Sequence, residues 1–150
     1  TKTFDMLKQE SYPITVHAGE WDGPENIRKA IHLLHPTRLG HGVRSIEDLD
    51  LVKEIIDKDI VLETCPTSNI ATKIYENYET HPVKKLHELG VRVTVNSDDP
   101  PFFNATIQGE YEAMAGIGFA ENDLLSMTRN AIESSFLEED KKNKILTKLD

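Results

Sequence analysis

Val91-Arg92-Val93-Thr94-Val95-Asn96-Ser97-Asp98-Asp99-Pro100-Pro101 is a β-branched run that ends in a polar cluster and two prolines. β-Branched residues suit a pleated strand, and proline suits the first positions of a helix. The stretch that follows places Ile107, Tyr111, Met114 and Ala115 on one helical face. The segment reads as strand, polar corner, helix, and the same order recurs three times upstream. Ile14-Thr15-Val16 runs into the polar turn His17-Ala18-Gly19-Glu20-Trp21-Asp22-Gly23. Pro24 then opens a helix with Ile27, Ala30, Ile31 and Leu34 at i, i+3, i+4, i+7. Arg38-Leu39-Gly40-His41-Gly42 precedes the stripe Leu49, Val52, Ile55 and Ile56, with Ser45 followed by Asp48 approximating a capping box. Ile60-Val61-Leu62-Glu63-Thr64 ends at Cys65-Pro66, and a loop over 66–80 leads to a helix with Val83, Leu86 and Leu89, closed by Gly90. Residues 1–10 read as the tail of a helix and 122–149 as two more helices.

Four βα units in a row imply an α/β fold with parallel strands and crossover helices. Two architectures fit, an open doubly wound sheet or part of a (β/α)8 barrel. A barrel takes about 250 residues and eight strands. This chain has 150 residues, and four such units.

Composition narrows the function. The net charge is −9, from 17 Lys and Arg against 26 Asp and Glu. That argues against a nucleic-acid partner or an anionic membrane surface, both of which need clustered cations. A single cysteine, Cys65, forms no intrachain disulfide and reads as a small buried hydrophobe. No apolar run approaches the roughly 18–20 residues of a membrane span, and the first residues do not form a signal peptide. A soluble, cytoplasmic protein is the expectation.

The chemistry-bearing residues gather at the strand ends. His17 and Glu20 follow the first strand, His41 the second, Asp98 and Asp99 the fourth. In both architectures these points share one face, where ligands bind. Imidazole and carboxylate are the usual ligands of a catalytic divalent metal. Strand side chains alternate, so Asp98 and Asp99 are expected to point apart, one to a metal and the other to a substrate. His32, His35, His81 and His87 lie in or beside helices and read as structural. No Gly-rich phosphate loop follows the first strand, which weighs against a dinucleotide site.

The segments Thr15-Val16-His17-Ala18-Gly19-Glu20, Arg38-Leu39-Gly40-His41-Gly42, Cys65-Pro66-Thr67-Ser68-Asn69 and Val95-Asn96-Ser97-Asp98-Asp99-Pro100 resemble those of the adenosine deaminase family. They come in that family's order and at its spacings. Asn130-Ala131 and Ser134-Ser135-Phe136-Leu137 are similar to its last helices. The resemblance implies a zinc-dependent purine aminohydrolase on a (β/α)8 barrel, releasing inosine and ammonia from adenosine. It implies that His17 and Asp98 are metal ligands and that Glu20 protonates purine N1. It further implies that His41 orients the attacking water and helps remove its proton, and that Asp99 hydrogen-bonds purine N7. Gly19 belongs to the motif that brings backbone close to the ligand. Zinc makes hydroxide available near neutral pH, and protonation at N1 makes C6 electrophilic, which requires surroundings that keep Glu20 protonated. Adenine deaminases share the motifs, but Arg38-Leu39-Gly40-His41-Gly42 looks more like the adenosine enzymes. A metal amidohydrolase with a non-purine substrate fits Glu20 and Asp99 less well.

The family also has a His-x-His motif at the end of its first barrel strand, and no His-x-His occurs in this sequence. Ile14-Thr15-Val16 corresponds to the fifth strand. Residues 1–150 therefore read as the C-terminal half of the barrel, strands five to eight, with the N-terminal half absent and Thr1 falling inside the end of the fourth helix. Two of the four expected protein ligands to zinc are missing, so this chain alone is expected to be inactive and to bind metal feebly. Two open sheet edges and an apolar barrel interior would drive it to pair with the missing half or with another copy of itself. A non-catalytic half-barrel serving as an interaction module is the competing reading. The coding frame upstream of Thr1 is expected to hold a His-x-His; reading that frame and finding none would favour the non-catalytic module.

Overall fold

The computed structural model describes residues 2–10 and 12–149, and Thr1, on which the expectation about the start of the chain falls, lies outside them. In chain order the elements are α1 (Lys2–Gln9), β1 (Thr15–Ala18), α2 (Pro24–Leu34), β2 (Arg38–His41), a 3-10 turn (Val43–Glu47), α3 (Leu49–Asp57), β3 (Val61–Thr64), α4 (Pro66–Ala71), α5 (Val83–Glu88), β4 (Val93–Val95), α6 (Pro100–Phe103), α7 (Ile107–Gly116), α8 (Glu121–Glu133) and α9 (Glu139–Leu146). No helix among the described residues is long and apolar enough to cross a membrane.

The helices start where local chemistry dictates. Pro24 occupies the first position of α2, where its missing N–H costs nothing. α3 is capped by Asp48, whose Oδ1 accepts the backbone N–H of Asp50 and Leu51, both at 3.1 Å. Ser45, expected to head that capping box, lies inside the 3-10 turn, and its buried Oγ finds no hydrogen-bond partner among the described residues. The expected loop over 66–80 begins instead as α4, with Pro66 in its first turn.

All four strands pair in parallel, in the spatial order β1-β2-β3-β4. A doubly wound sheet reverses its strand order part-way across; this one does not. The helices confirm the barrel-like arrangement by covering a single face. Leu39, Leu62, Val93 and Val95 pack against Ile27 and Ile31 of α2, Leu51 and Ile55 of α3, Val83 and Leu86 of α5, Met114 of α7 and Met127 of α8 in one buried core.

The opposite face is largely polar, with buried Val61 beside Arg38 as an apolar member. The register Thr15↔Arg38 and His17↔Gly40, then Gly40↔Glu63 and Glu63↔Thr94, sets these residues on that side. Thr15 Oγ1 donates to Glu63 Oε2 at 2.6 Å, and Arg38 Nε lies 2.8 Å from Glu63 Oε1. Arg38 also donates to the Ser134 carbonyl at 2.6 Å and sets its guanidinium 3.9 Å from the Phe136 ring centroid. The expectation of an apolar interior is therefore corrected: β1, β2 and β3 satisfy charged groups there with one another. Two sheet edges, β1 and β4, remain as expected.

β1 and β2 end in tight left-handed corners. Gly42 has φ +65°, and a Cβ there would lie 2.6 Å from Leu62 Cδ2 in the core. Gly42→Ala combines backbone strain with overpacking, and is expected to cost the full chain about 1–3 kcal/mol. Urea unfolding measures this, and an unchanged midpoint would mean that the corner relaxes freely around a methyl group.

A candidate metal and catalytic site at the strand ends

The corners after β1, β2 and β4 bring most of the residues singled out in the sequence to one cleft of about 500 Å³, lined among others by His17, His41, Cys65, Asp98 and Asp99. His17 stands on β1 with its ring against Gly40, where any Cβ would lie 2.5 Å from the ring carbon Cδ2. Gly40 is thus the space that lets His17 lie over β2. His41 is the last residue of β2, and strand alternation alone would send it toward the helices. Its φ of +63° turns it instead into the cleft. Its ring meets that of His17 edge to face at 5.2 Å.

Asp98 and Asp99 both line the cleft, and neither belongs to a strand, so strand alternation does not govern them. β4 ends at Val95, three residues earlier. Asp98 lies beyond it in a left-handed conformation, φ +55°. Glu20 lines an adjoining hollow beside Trp21, Arg44 and Tyr75, and its carboxylate still reaches to 3.5 Å from His41 Nε2. Asp98 Oδ2 sits 3.7 Å from the same nitrogen. Gly19 does not line the cleft. Its φ of +73° and its approach to Ile27, where a Cβ would lie 2.3 Å from Cδ1, make it a packing requirement of the corner.

Burial dominates the electrostatics. His41 is 1% exposed. Desolvation pulls its pKa below the ordinary imidazole value, against the opposing pull of Glu20 and Asp98. Burial pushes the Cys65 thiol well up, and its Sγ donates to the Glu63 carbonyl at 3.5 Å. Burial thus disfavours the thiolate, the form that attacks as a nucleophile.

Among the described residues two donor groups could hold a divalent cation: His17, Glu20 and His41 in one, and His41, Cys65 and Asp98 in the other, with ligand atoms within 4.8 Å inside each group. Imidazole, carboxylate and thiolate are all donors that zinc accepts. His17 and Asp98 do not share one such group; His41 links them.

The residues around these were not assigned a site role from sequence. α4 carries two of them on consecutive positions. Ser68 Oγ donates to Asp98 Oδ2 at 2.6 Å. Asn69 Nδ2 lies 3.2 Å from His41 Nδ1, while Asn69 Oδ1 lies 3.1 Å from His81 Nε2. His81, read as structural, is therefore one step from the cleft. It is buried, and burial pulls its pKa down to about 3. Glu110, 1% exposed, accepts the Thr67 backbone N–H through both oxygens, at 3.3 and 3.4 Å, and so fixes the start of α4. Burial raises its pKa. Ser68 and Asn69 lay in a quoted motif, which was their only signal; His81 and Glu110 had none.

The family model described as adenosine deaminase matches residues 1–150. An adenine deaminase of Rhizobium rhizogenes is 46% identical over 149 residues, covering 99% of this chain and 46% of that protein. Among solved structures, an adenine deaminase from Arthrobacter aurescens superposes with a TM-score of 0.93 at 28% identity, over 99% of this chain and 46% of that one. An amidohydrolase from Burkholderia ambifaria, solved with bound zinc, gives 0.88 at 25% identity over 99% and 42%. The chain spans less than half the length of these relatives.

Ser68 holds a carboxylate that faces the cleft, and loss of such outer partners typically costs 10–100-fold in metal affinity. Ser68→Ala is expected to weaken zinc binding by about that factor in a titration of the full chain. An unchanged affinity would remove Ser68 from the support of the site.

Proposed function

This chain belongs to the adenosine deaminase family, and we propose that it forms the C-terminal half of a zinc-dependent barrel enzyme that hydrolyses the 6-amino group from a purine. One observation carries the reading: His17, Glu20, His41 and Asp98 converge at the carboxyl ends of parallel strands beside a cleft that Asp99 also lines. Hydrolases that activate water and protonate a ring nitrogen need this mixture of metal donors and free carboxylate.

His17 and Asp98 are assigned to the metal. When bound, zinc supplies hydroxide near neutral pH. Glu20 delivers a proton to ring nitrogen N1 and so opens C6 to attack. His41, beside Glu20 and Asp98, holds the attacking water in line. Asp99, exposed at the rim of the cleft, hydrogen-bonds N7, and Gly19 keeps the corner after β1 tight enough for Glu20 to reach in. The oxygen of water joins C6, one of its protons passes to the amino group and the other restores the acid form of Glu20, the C6–N bond breaks and ammonia leaves. The remaining zinc ligands are assigned to a segment outside these 150 residues or to a second copy, which would also cover the open edges of β1 and β4.

Adenine is the substrate we favour, because relatives 42–46% identical across nearly the whole chain bear the name adenine deaminase. Adenosine is the second reading, favoured by the stretch Arg38-Leu39-Gly40-His41-Gly42. Ammonia release from each, measured on the full polypeptide that carries this sequence, separates them. Adenine turnover is expected, adenosine turnover alone would restore the second reading, and release from neither would sink the proposal. Glu20→Gln is expected to lower kcat by about 10²–10⁴-fold, the range for loss of a general acid.

A further inference from the structure

We propose that Asn69 and His81 are positioning residues that fix the proton of His41 on Nε2, the nitrogen facing Glu20 and Asp98. A backbone amide N–H can only donate. Val83 N–H donates to His81 Nδ1 at 3.2 Å. An imidazole nitrogen that accepts carries no proton, so the proton of neutral His81 sits on Nε2. Burial keeps the ring neutral. His81 Nε2–H then requires an acceptor, and the atom 3.1 Å away is the Asn69 amide. Only its oxygen accepts, which settles which way the amide points. Asn69 Nδ2 consequently faces His41 Nδ1, at 3.2 Å, and donates to it. His41 Nδ1 is thus an acceptor, and its proton lies on Nε2.

This order runs in one direction over four groups, and each member is buried or part of the backbone. Asn69 is fully buried, His81 is 3% exposed and His41 1% exposed. Bulk solvent has little access to the Asn69 amide or to the ring nitrogens it faces. Asn69 cannot flip without setting its own N–H against the Nε2–H of His81. The relay therefore sets the tautomer of His41 from a helix start remote from the cleft, as the pairing partner of a ring nitrogen generally does. Its consequence at the site is that neutral His41 presents a donor, not an acceptor, toward Glu20 Oε2 and Asp98 Oδ2, 3.5 and 3.7 Å away. In the proposed reaction His41 then holds the attacking water through its N–H, and does not take a proton from it while neutral.

The kinetic part of this inference rests on the proposed deamination; the tautomer part does not. Nitrogen-15 NMR of the histidine rings in the full polypeptide reads the tautomer directly, with His41 identified by the signals lost in His41→Gln. Wild-type protein is expected to show a protonated Nε2 and a bare Nδ1 at His41. In Asn69→Asp the carboxylate still accepts from His81 but has no donor for His41, whose proton should move to Nδ1. His81→Leu should leave a mixture of tautomers, while His81→Gln, which retains both an acceptor for Val83 and an N–H donor for Asn69, should restore Nε2–H. On adenine or adenosine, whichever is turned over, Asn69→Asp and His81→Leu should lower kcat by about 10–100-fold, as outer partners of a site do, with KM little changed and His81→Gln near wild type. A proton on His41 Nδ1 in the wild-type protein overturns the proposal, and that measurement needs no variant. So does a His81→Gln enzyme as slow as His81→Leu. Intact Nε2–H in a protein that deaminates no purine would uphold the relay and refute the reaction.

Discussion

Burial of one face of the sheet, and only one, is the constraint on which the rest of the molecule depends. Leu39, Leu62 and Val93 leave water against α2, α3, α5, α7 and α8, and the apolar area they remove is the main stabilising term. Because strand side chains alternate, committing these residues to the helices commits Thr15, His17, Arg38 and Glu63 to the other side. A shift of one residue in register would bury a histidine and two charged groups among leucines. The ladder is specified as strongly by the cost of that error as by the gain from the core. The same register brings every strand to its end at one level, which is why loops far apart in sequence share a cleft.

Where the strands end, the chain departs from regular backbone to aim individual groups. His41 and Asp98 both take left-handed conformations that side chains other than glycine rarely adopt. Each is held by neighbours that repay the strain. Asn69 and Ser68, adjacent on α4, grip one each, and Glu110 anchors the first turn of that helix. α4 is only six residues long, too short to be stable on its own merits. It is kept in place by what it touches, so the two gripped residues and the short helix stabilise one another.

The βα order was legible because it is written in local patterns: the stripe from Ile27 to Leu34, proline at Pro24, and glycine at Gly90, which takes φ +94° after α5. The strand-end location of His17, Glu20, His41 and Asp98 followed from topology alone. What could not be read depends on contacts across the chain. Asn69 meets His41 over 28 residues, and Glu110 meets Thr67 over 43; no periodicity announces either. His81 looked structural for a sound reason, since a buried histidine usually is, and only the Asn69 amide beside it links it to the cleft. The apolar interior was a generalisation from hydrophobic strands, and it failed because Glu63 finds Thr15 and Arg38 as partners. Strand alternation gives no reading of Asp98 and Asp99, because β4 stops before reaching them.

Arg38 adds an element of timing. Its guanidinium bonds to a carbonyl 96 residues further along the chain and stacks on Phe136 just beyond it. During synthesis, at roughly 5–20 residues per second, β2 emerges well before those partners exist. Once Glu63 is made, the cation has only that carboxylate to satisfy it for about 4–14 seconds until Ser134 follows. The final stretch after α8 is therefore a latch set last: until it closes, the amino-terminal side of the strand layer stays wet, and a nascent chain is at that stage most exposed to mispairing along its free edges.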